Sequence, residues 1–203
     1  VDKQVDGISS LNVVLVADLH LGYSIGCSDM EKMVDRINAL NPDVVIYAGD
    51  IFDNDYDALD DPERLVEIMR NVSAAYGSYA VFGNHDVTET LVGGFSTASS
   101  TKAFRDPRME TFLGQAGINI MLDDVTTIAD GKINLIGRLD GEKAGDGTSN
   151  RKDLSELVKQ CDMSKPVIVI NHEPDKLHET AAMGVDVMLS GHTHAGQFFP
   201  LTI

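Results

Sequence analysis

Basic side chains are scarce in this chain of 203 residues: 16 Lys and Arg stand against 32 Asp and Glu, a formal net charge of −16. A broad, non-specific nucleic-acid surface needs a basic stripe, so this balance argues against long nucleic acid as a partner. Most of the carboxylates read as a solvated acidic surface. Bare carboxylates also repel phosphate, so a phosphate substrate would require bound divalent cations to reverse the local sign. Cysteine is almost missing as well. Cys27 and Cys161 form no CxxC pair and no metal-finger spacing, which argues against a disulfide framework. No apolar run approaches a transmembrane helix in length, and no signal peptide is visible. The chain opens on Val1 rather than Met. We therefore expect a piece of a longer protein, shortened at both ends, and infer nothing about targeting from the lack of a leader. The length suits one domain over residues 1–203 with a sizeable core.

What the chain does have is short, almost wholly apolar runs, the pattern of strands buried on both faces. Asn12–Ala17, Asp43–Ala48 and Tyr79–Phe82 are separated by helical patterns. Ser28 with Glu31 reads as a capping box opening the first helix, and Asp61-Pro62 opens the second. Strand, helix, strand, helix, strand predicts parallel pairing with the carboxyl ends on one edge. Residues 87–104, with Gly93-Gly94, read as a mobile loop. Ile118–Leu122, Val125–Ala129 and Lys132–Gly137 read as antiparallel hairpins. Gly141–Asn150 reads as an exposed loop, and Val167–Ile170 and Val185–Leu189 as two further strands. The sum is an α/β domain of two packed mixed sheets with helices outside.

The polar residues gather where those strands end. Gly83-Asn84-His85-Asp86 follows the third strand, and the same design recurs at Asp18-Leu19-His20, Gly49-Asp50, Asn171-His172 and Gly191-His192-Thr193-His194. Of six histidines, His20, His85, His172, His192 and His194 sit at strand ends and only His178 lies elsewhere, on a predicted surface helix. Histidines spread for packing would not sort in this way. Singly, Asp18 could cap a turn and Asn84 could hold a left-handed turn; together they read as ligands converging on one sheet edge. Asp, Asn and His without Cys suit Mn²⁺, with Fe or Zn²⁺ as alternatives. So many ligands favour a pair of ions, which need a bridging carboxylate. Such a pair activates a bridging water as hydroxide and clamps an in-line displacement at phosphorus.

The ordered blocks Asp18-x-His20, Gly49-Asp50, Gly83-Asn84-His85-Asp86, His172 and Gly191-His192-x-His194 resemble the calcineurin-like metallophosphoesterases, from about Asn12 to Phe199. The resemblance implies a four-layer α/β/β/α sandwich. It implies that Asp18, His20 and His194 hold one metal ion, that Asn84, His172 and His192 hold a second, and that Asp50 bridges them. By the same resemblance His85 is the non-ligand histidine that protonates the leaving oxygen or stabilises its charge, and Asp53 the carboxylate that orients it. Asp53, Asp55 and Asp57 also read, equally well, as a solvated acidic loop.

One departure narrows the substrate. Protein Ser/Thr phosphatases of this superfamily carry arginine directly after that second Asp, where this chain has Asn54. The stretches Ile37–Asp43 and Gly191–Gln197 look instead like the bacterial membrane-associated branch, which includes phosphodiesterases and lipid-A-precursor pyrophosphatases. The expected activity is hydrolysis of a phosphodiester or pyrophosphate, on a small-molecule or lipid-linked substrate. The full-length protein is expected at a membrane, through a hydrophobic segment outside this chain. Two other readings stay open: a non-catalytic interaction scaffold on the same fold, and a nuclease acting on nucleic-acid ends.

Overall fold

β-Branched and aliphatic runs flanked by turn residues become the strands. The computed structural model describes residues 1–88, 91–92, 95–96, 104–146 and 151–193. In it β1 (Val13–Val16), α1 (Cys27–Ala39), β2 (Val44–Ala48), α2 (Pro62–Met69) and β3 (Ser78–Val81) alternate as the sequence predicts. β4 (Leu91–Val92) and β5 (Phe95–Ser96) form a separate antiparallel pair. The rest of the expected mobile loop lies mostly outside the described residues. Then come α3 (Pro107–Gln115), β6 (Ile118–Ile120), β7 (Asp124–Ile128), β8 (Ile133–Gly137), α4 (Leu154–Val158), β9 (Val167–Ile170), α5 (Leu177–Ala182) and β10 (Val187–Leu189).

Two four-stranded sheets result, ordered β1-β2-β3-β6 and β10-β9-β8-β7. The first is parallel throughout, with Val13 opposite Val44, Val45 opposite Ser78, and Ser78 opposite Ile118. The second is mixed: β8, β9 and β10 run parallel and β7 returns antiparallel to β8. Only the β7–β8 hairpin forms as expected. β6 leaves that series and adds to β3, because α3 supplies the crossover length that parallel pairing requires.

Three apolar layers hold the sandwich. α1, α2 and α3 pack on the first sheet through Met30, Val34, Leu65, Met69, Phe112 and Leu113. Between the sheets lie Val44, Ile46, Val81, Leu135, Ile168 and Ile170. Outside the second sheet Val167 and Val169 meet Leu157 and Val158. This is the α/β/β/α arrangement.

The helix starts follow local chemistry in one case and tertiary chemistry in another. Asp61 caps α2, accepting the Arg64 N–H at 3.1 Å, with Pro62 in the first turn. α1 begins one residue before Ser28, and its N-cap is Gly26, which has no capping side chain. Asp60 supplies the acceptor instead, its Oδ2 3.3 Å from the Cys27 amide. His178 is exposed on α5.

A candidate metal centre at the strand ends

β1, β2 and β3 of the first sheet each deliver a polar turn to the same edge. The β1–β2 ladder continues past the strands, with Asp18 N–H bonded to Gly49 O at 3.1 Å and His20 N–H to Asp50 O at 3.0 Å. From the second sheet, the turns after β9 and β10 are tied by Gly191 N–H to His172 O at 3.0 Å. The two sets then meet where His192 N–H donates to Asp18 Oδ1 at 2.9 Å; within the first set, His85 N–H donates to Asp50 Oδ1 at 2.9 Å. Asp18, His20, Asp50 and His192 all take positive φ, between 47° and 70°. Non-glycine residues adopt this conformation rarely, and such strain gathers at functional sites. Two glycines make the approach possible. A Cβ at Gly49 would lie 2.5 Å from His172 Nδ1, and one at Gly83 would lie 2.7 Å from His172 Cδ2.

The expected ligand residues among the described ones come together. Asp18, His20 and Asp50 can present ligand atoms all within 4.8 Å of one another, and so can Asp50, His172 and His192. Asp50 belongs to both groups. Asn84 Oδ1 lies 3.1 Å from His172 Nε2 and 3.0 Å from His192 Nδ1, inside the second group. His194 lies outside the described residues.

The hydrogen-bond pattern at His172 fixes its tautomer. Its Nδ1 is 2.8 Å from the Ala48 carbonyl, which can only accept, so Nδ1 carries a proton. Nε2 then faces Asp50 Oδ2 at 3.1 Å, Asn84 Oδ1 at 3.1 Å and His192 Nδ1 at 3.3 Å. Asp50 Oδ2 is buried and makes no hydrogen bond among the described residues, so its contact with His172 is one of charge. Lone pairs thus converge on a point that only a proton or a cation can satisfy. The titration behaviour agrees. Burial pulls the His172 imidazole down, but the Asp50 carboxylate outweighs it and lifts the pKa to about 9. Burial would raise Asp50 in turn, yet His172 and the His85 amide hold it below its ordinary value. The donor set is hard to borderline and fits divalent ions of the Mn²⁺, Fe or Zn²⁺ kind.

His85 stands at the mouth of the site, its ring 4.9 Å from that of His20. Burial, the largest influence, lowers its pKa. The hydrogen bond expected from Asp53 is made by Asn54: His85 Nδ1 is 2.6 Å from Asn54 Oδ1 and 3.8 Å from Asp53 Oδ1. Asn54 is buried, turned inward at φ 60°, and further held by Nδ2 donating to Val87 O at 3.2 Å. Asp53 Oδ1 lies nearer His20 Nδ1, at 3.4 Å. His20, Asp53 and His85 form a third group whose ligand atoms fall within 4.8 Å.

Two carboxylates had no separate role in the sequence reading. Asp86, fully buried, accepts Phe52 N–H and Gly83 N–H at 2.7 Å each and so ties the turn after β3 to the turn after β2. Its place inside Gly-Asn-His-Asp was the available signal. Asp140 is also buried. Its Oδ1 accepts Glu142 N–H at 3.0 Å and Lys143 N–H at 2.7 Å, while Oδ2 has no partner among the described residues. The stretch expected to be an exposed loop is exposed at Gly141 and Glu142 but buried at Ala144 and Gly145; residues 147–150 lie outside the described ones.

This fold, with these residues on its carboxyl edge, defines a class. Residues 11–196 match the family model for calcineurin-like phosphoesterases, and the chain belongs to that family. It is 33% identical over 216 residues to a transmembrane protein with metallophosphoesterase domain from Danio rerio, covering 100% of this chain and 44% of that protein. It is 28% identical to the uncharacterized metallophosphoesterase YkuE of Bacillus subtilis, over 94% of this chain and 60% of that protein. It is 25% identical to the UDP-2,3-diacylglucosamine pyrophosphatase LpxG of Chlamydia trachomatis, over 96% of this chain and 67% of that protein. The chain thus spans less than half the length of the Danio rerio relative. Among the described residues no helix is long and apolar enough to cross a membrane.

Proposed function

We propose that residues 1–203 form a catalytic domain that hydrolyses a phosphodiester or pyrophosphate with two divalent metal ions. The convergence of His172 Nε2, Asn84 Oδ1, His192 Nδ1 and the buried Asp50 Oδ2 carries this reading. In it Asp18, His20 and His194 hold one ion, Asn84, His172 and His192 the other, and Asp50 bridges. Mn²⁺ is the first candidate. When bound, the ions supply a nucleophilic water at neutral pH and neutralise charge on the phosphoryl oxygens.

The chain's own residues do the rest. Asp50, held by the His85 amide, offers its second oxygen to the shared position. His85 is pinned at Nδ1 by Asn54, so its Nε2 is left to face the departing oxygen; the imidazolium form gives up its Nε2 proton there and returns to neutral imidazole. With Asn54 turned inward, no arginine stands at that position to grip a dianionic monoester. A monoanionic diester also suits the acidic chain better. Full-length relatives named as transmembrane proteins, and a pyrophosphatase named for a diacylglucosamine nucleotide, support a lipid-linked substrate met at a membrane.

The test is a panel of bis-p-nitrophenyl phosphate, p-nitrophenyl phosphate and a nucleotide-sugar pyrophosphate with Mn²⁺. The expected order places the diester or the pyrophosphate above the monoester in kcat/KM. A clear preference for p-nitrophenyl phosphate overturns the substrate class. No turnover of any of them by the metal-loaded protein returns the scaffold reading.

A further inference from the structure

His172 has to be held in place from behind as well as from the front. Successive residues leaving β9 face opposite sides of the sheet. His172 turns inward to the Ala48 carbonyl, and Asn171 turns outward beside Val169 and Met188, lining a cavity of about 290 Å³. Asn171 is 2% exposed, and both of its side-chain polar atoms are engaged. Its Nδ2 donates to Glu173 O at 2.5 Å and to Asp175 Oδ1 at 2.7 Å, closing the turn that follows His172. Its Oδ1 accepts from Arg151 Nη2. Arg151 Nη1 lies 3.8 Å from Asp175 Oδ2, so one guanidinium spans both ends of the turn.

The surroundings are shaped around that guanidinium. A Cβ on Gly141 would stand 3.0 Å from Arg151 Nη1 and 2.8 Å from Glu173 Oε2. The Arg151 side chain is 17% exposed, and its Nε is buried with no hydrogen-bond partner among the described residues. A half-buried, partly satisfied cation is a poor device for stability. Its fork is a good device for geometry.

We propose that Arg151 is a positioning residue for the metal centre, gripping Asn171 and Asp175 so that the exit of β9 presents His172 at one place. Through the bond from Gly191 N–H to His172 O, the same grip steadies the turn that carries His192. This rests on the assignment of His172 and His192 as metal ligands.

The test titrates chelated full-chain protein with Co²⁺, following the visible d–d absorption, and measures melting of the metal-free form. Arg151→Met is expected to weaken Co²⁺ binding about 10–100-fold, the range for partners that orient a ligand, with metal-free melting near that of the unsubstituted protein. Arg151→Lys is expected to restore little, since an ammonium cannot bridge two acceptors in one plane. Excess metal is expected to restore turnover in both variants with KM unchanged. Wild-type affinity and spectrum in both variants overturn the proposal, as does a loss of melting temperature that matches the loss of affinity. A raised KM that excess metal does not repair makes Arg151 a substrate contact and also overturns it. If Arg151→Met does not fold, Gly141→Ala displaces the same guanidinium: a weaker loss of affinity is expected, and none counts against. Absence of Co²⁺ binding by the unsubstituted protein would instead remove the metal-centre assignment itself.

Discussion

At the scale of single residues, Asp50 and His85 separate the two halves of the chemistry. In the proposed two-metal centre Asp50 would lie between adjacent cations, so Asp50→Asn is expected to lower the affinity of both ions; elemental analysis of wild type and variant checks it, and unchanged occupancy removes the bridge. His85→Asn is expected to keep metal content and fold while kcat falls, by about 10²–10⁴-fold for alkyl leaving groups and far less for p-nitrophenolate, which scarcely needs a proton. Asn54→Ala is expected to reproduce that leaving-group dependence in weaker form, because the His85 ring loses its anchor at 2.6 Å. If Asp53→Asn shows the dependence and Asn54→Ala does not, the anchor is the carboxylate. Residue types at strand ends were enough to group Asp18, His20, Asp50, Asn84, His172 and His192. They could not choose between Asp53 and Asn54, since that depends on a positive φ at Asn54 that turns one side chain under His85 and leaves its neighbour outside.

Elements were legible where their signals are local. The apolar runs of β1, β2, β3 and β9 and the Asp61 cap of α2 depend on near neighbours only. The start of α1 depends on Asp60, 33 residues away, and the place of β6 depends on which edge α3 leaves open; neither leaves a mark in periodicity. The turns after β2 and β3 are coupled more tightly than their sequences suggest. Asp86 bonds to both, and the path of Gly83 leaves no room for a side chain against Asp50 and His172. Gly83→Ala is therefore expected to cost about 1–3 kcal/mol of stability, the usual range for overpacking, and to abolish metal uptake as Asp50 and His172 part. Urea denaturation and metal analysis read the two effects. Normal metal uptake would mean that the turn can yield.

For the whole molecule, the unsatisfied centre sets how stability depends on pH. The metal-free His172 is raised to about 9 from an ordinary value of about 6.5. Its contribution is full below pH about 6.5 and is lost as pH rises through 9. Asp86 is raised to about 7 by burial, with the Asp50 charge adding. From an ordinary value of about 4, its contribution is full in acid and lost as pH rises through 7. Both act in the same direction; the lowered His85 opposes them only below pH about 6.5, so the chelated protein is expected to show a falling urea midpoint from pH about 6.5 to pH 9. Metal-loaded protein is expected to lose the His172 part of that slope, since in the proposed centre a cation would take the place of the His172 proton. A flat profile in chelated protein would contradict the convergence of lone pairs.

The second ligand group draws Asp50 from one sheet and His172 and His192 from the other, across the seam between them. Among the described residues β10 ends its sheet's strand order, has three half-buried residues, and pairs with β9 alone. Seen through amide exchange in deuterated water, the ions would act as a local lock on that strand. Adding chelator should release the amides of β10 first and those of β9 next, while β2, enclosed between β1 and β3, keeps its slow exchange.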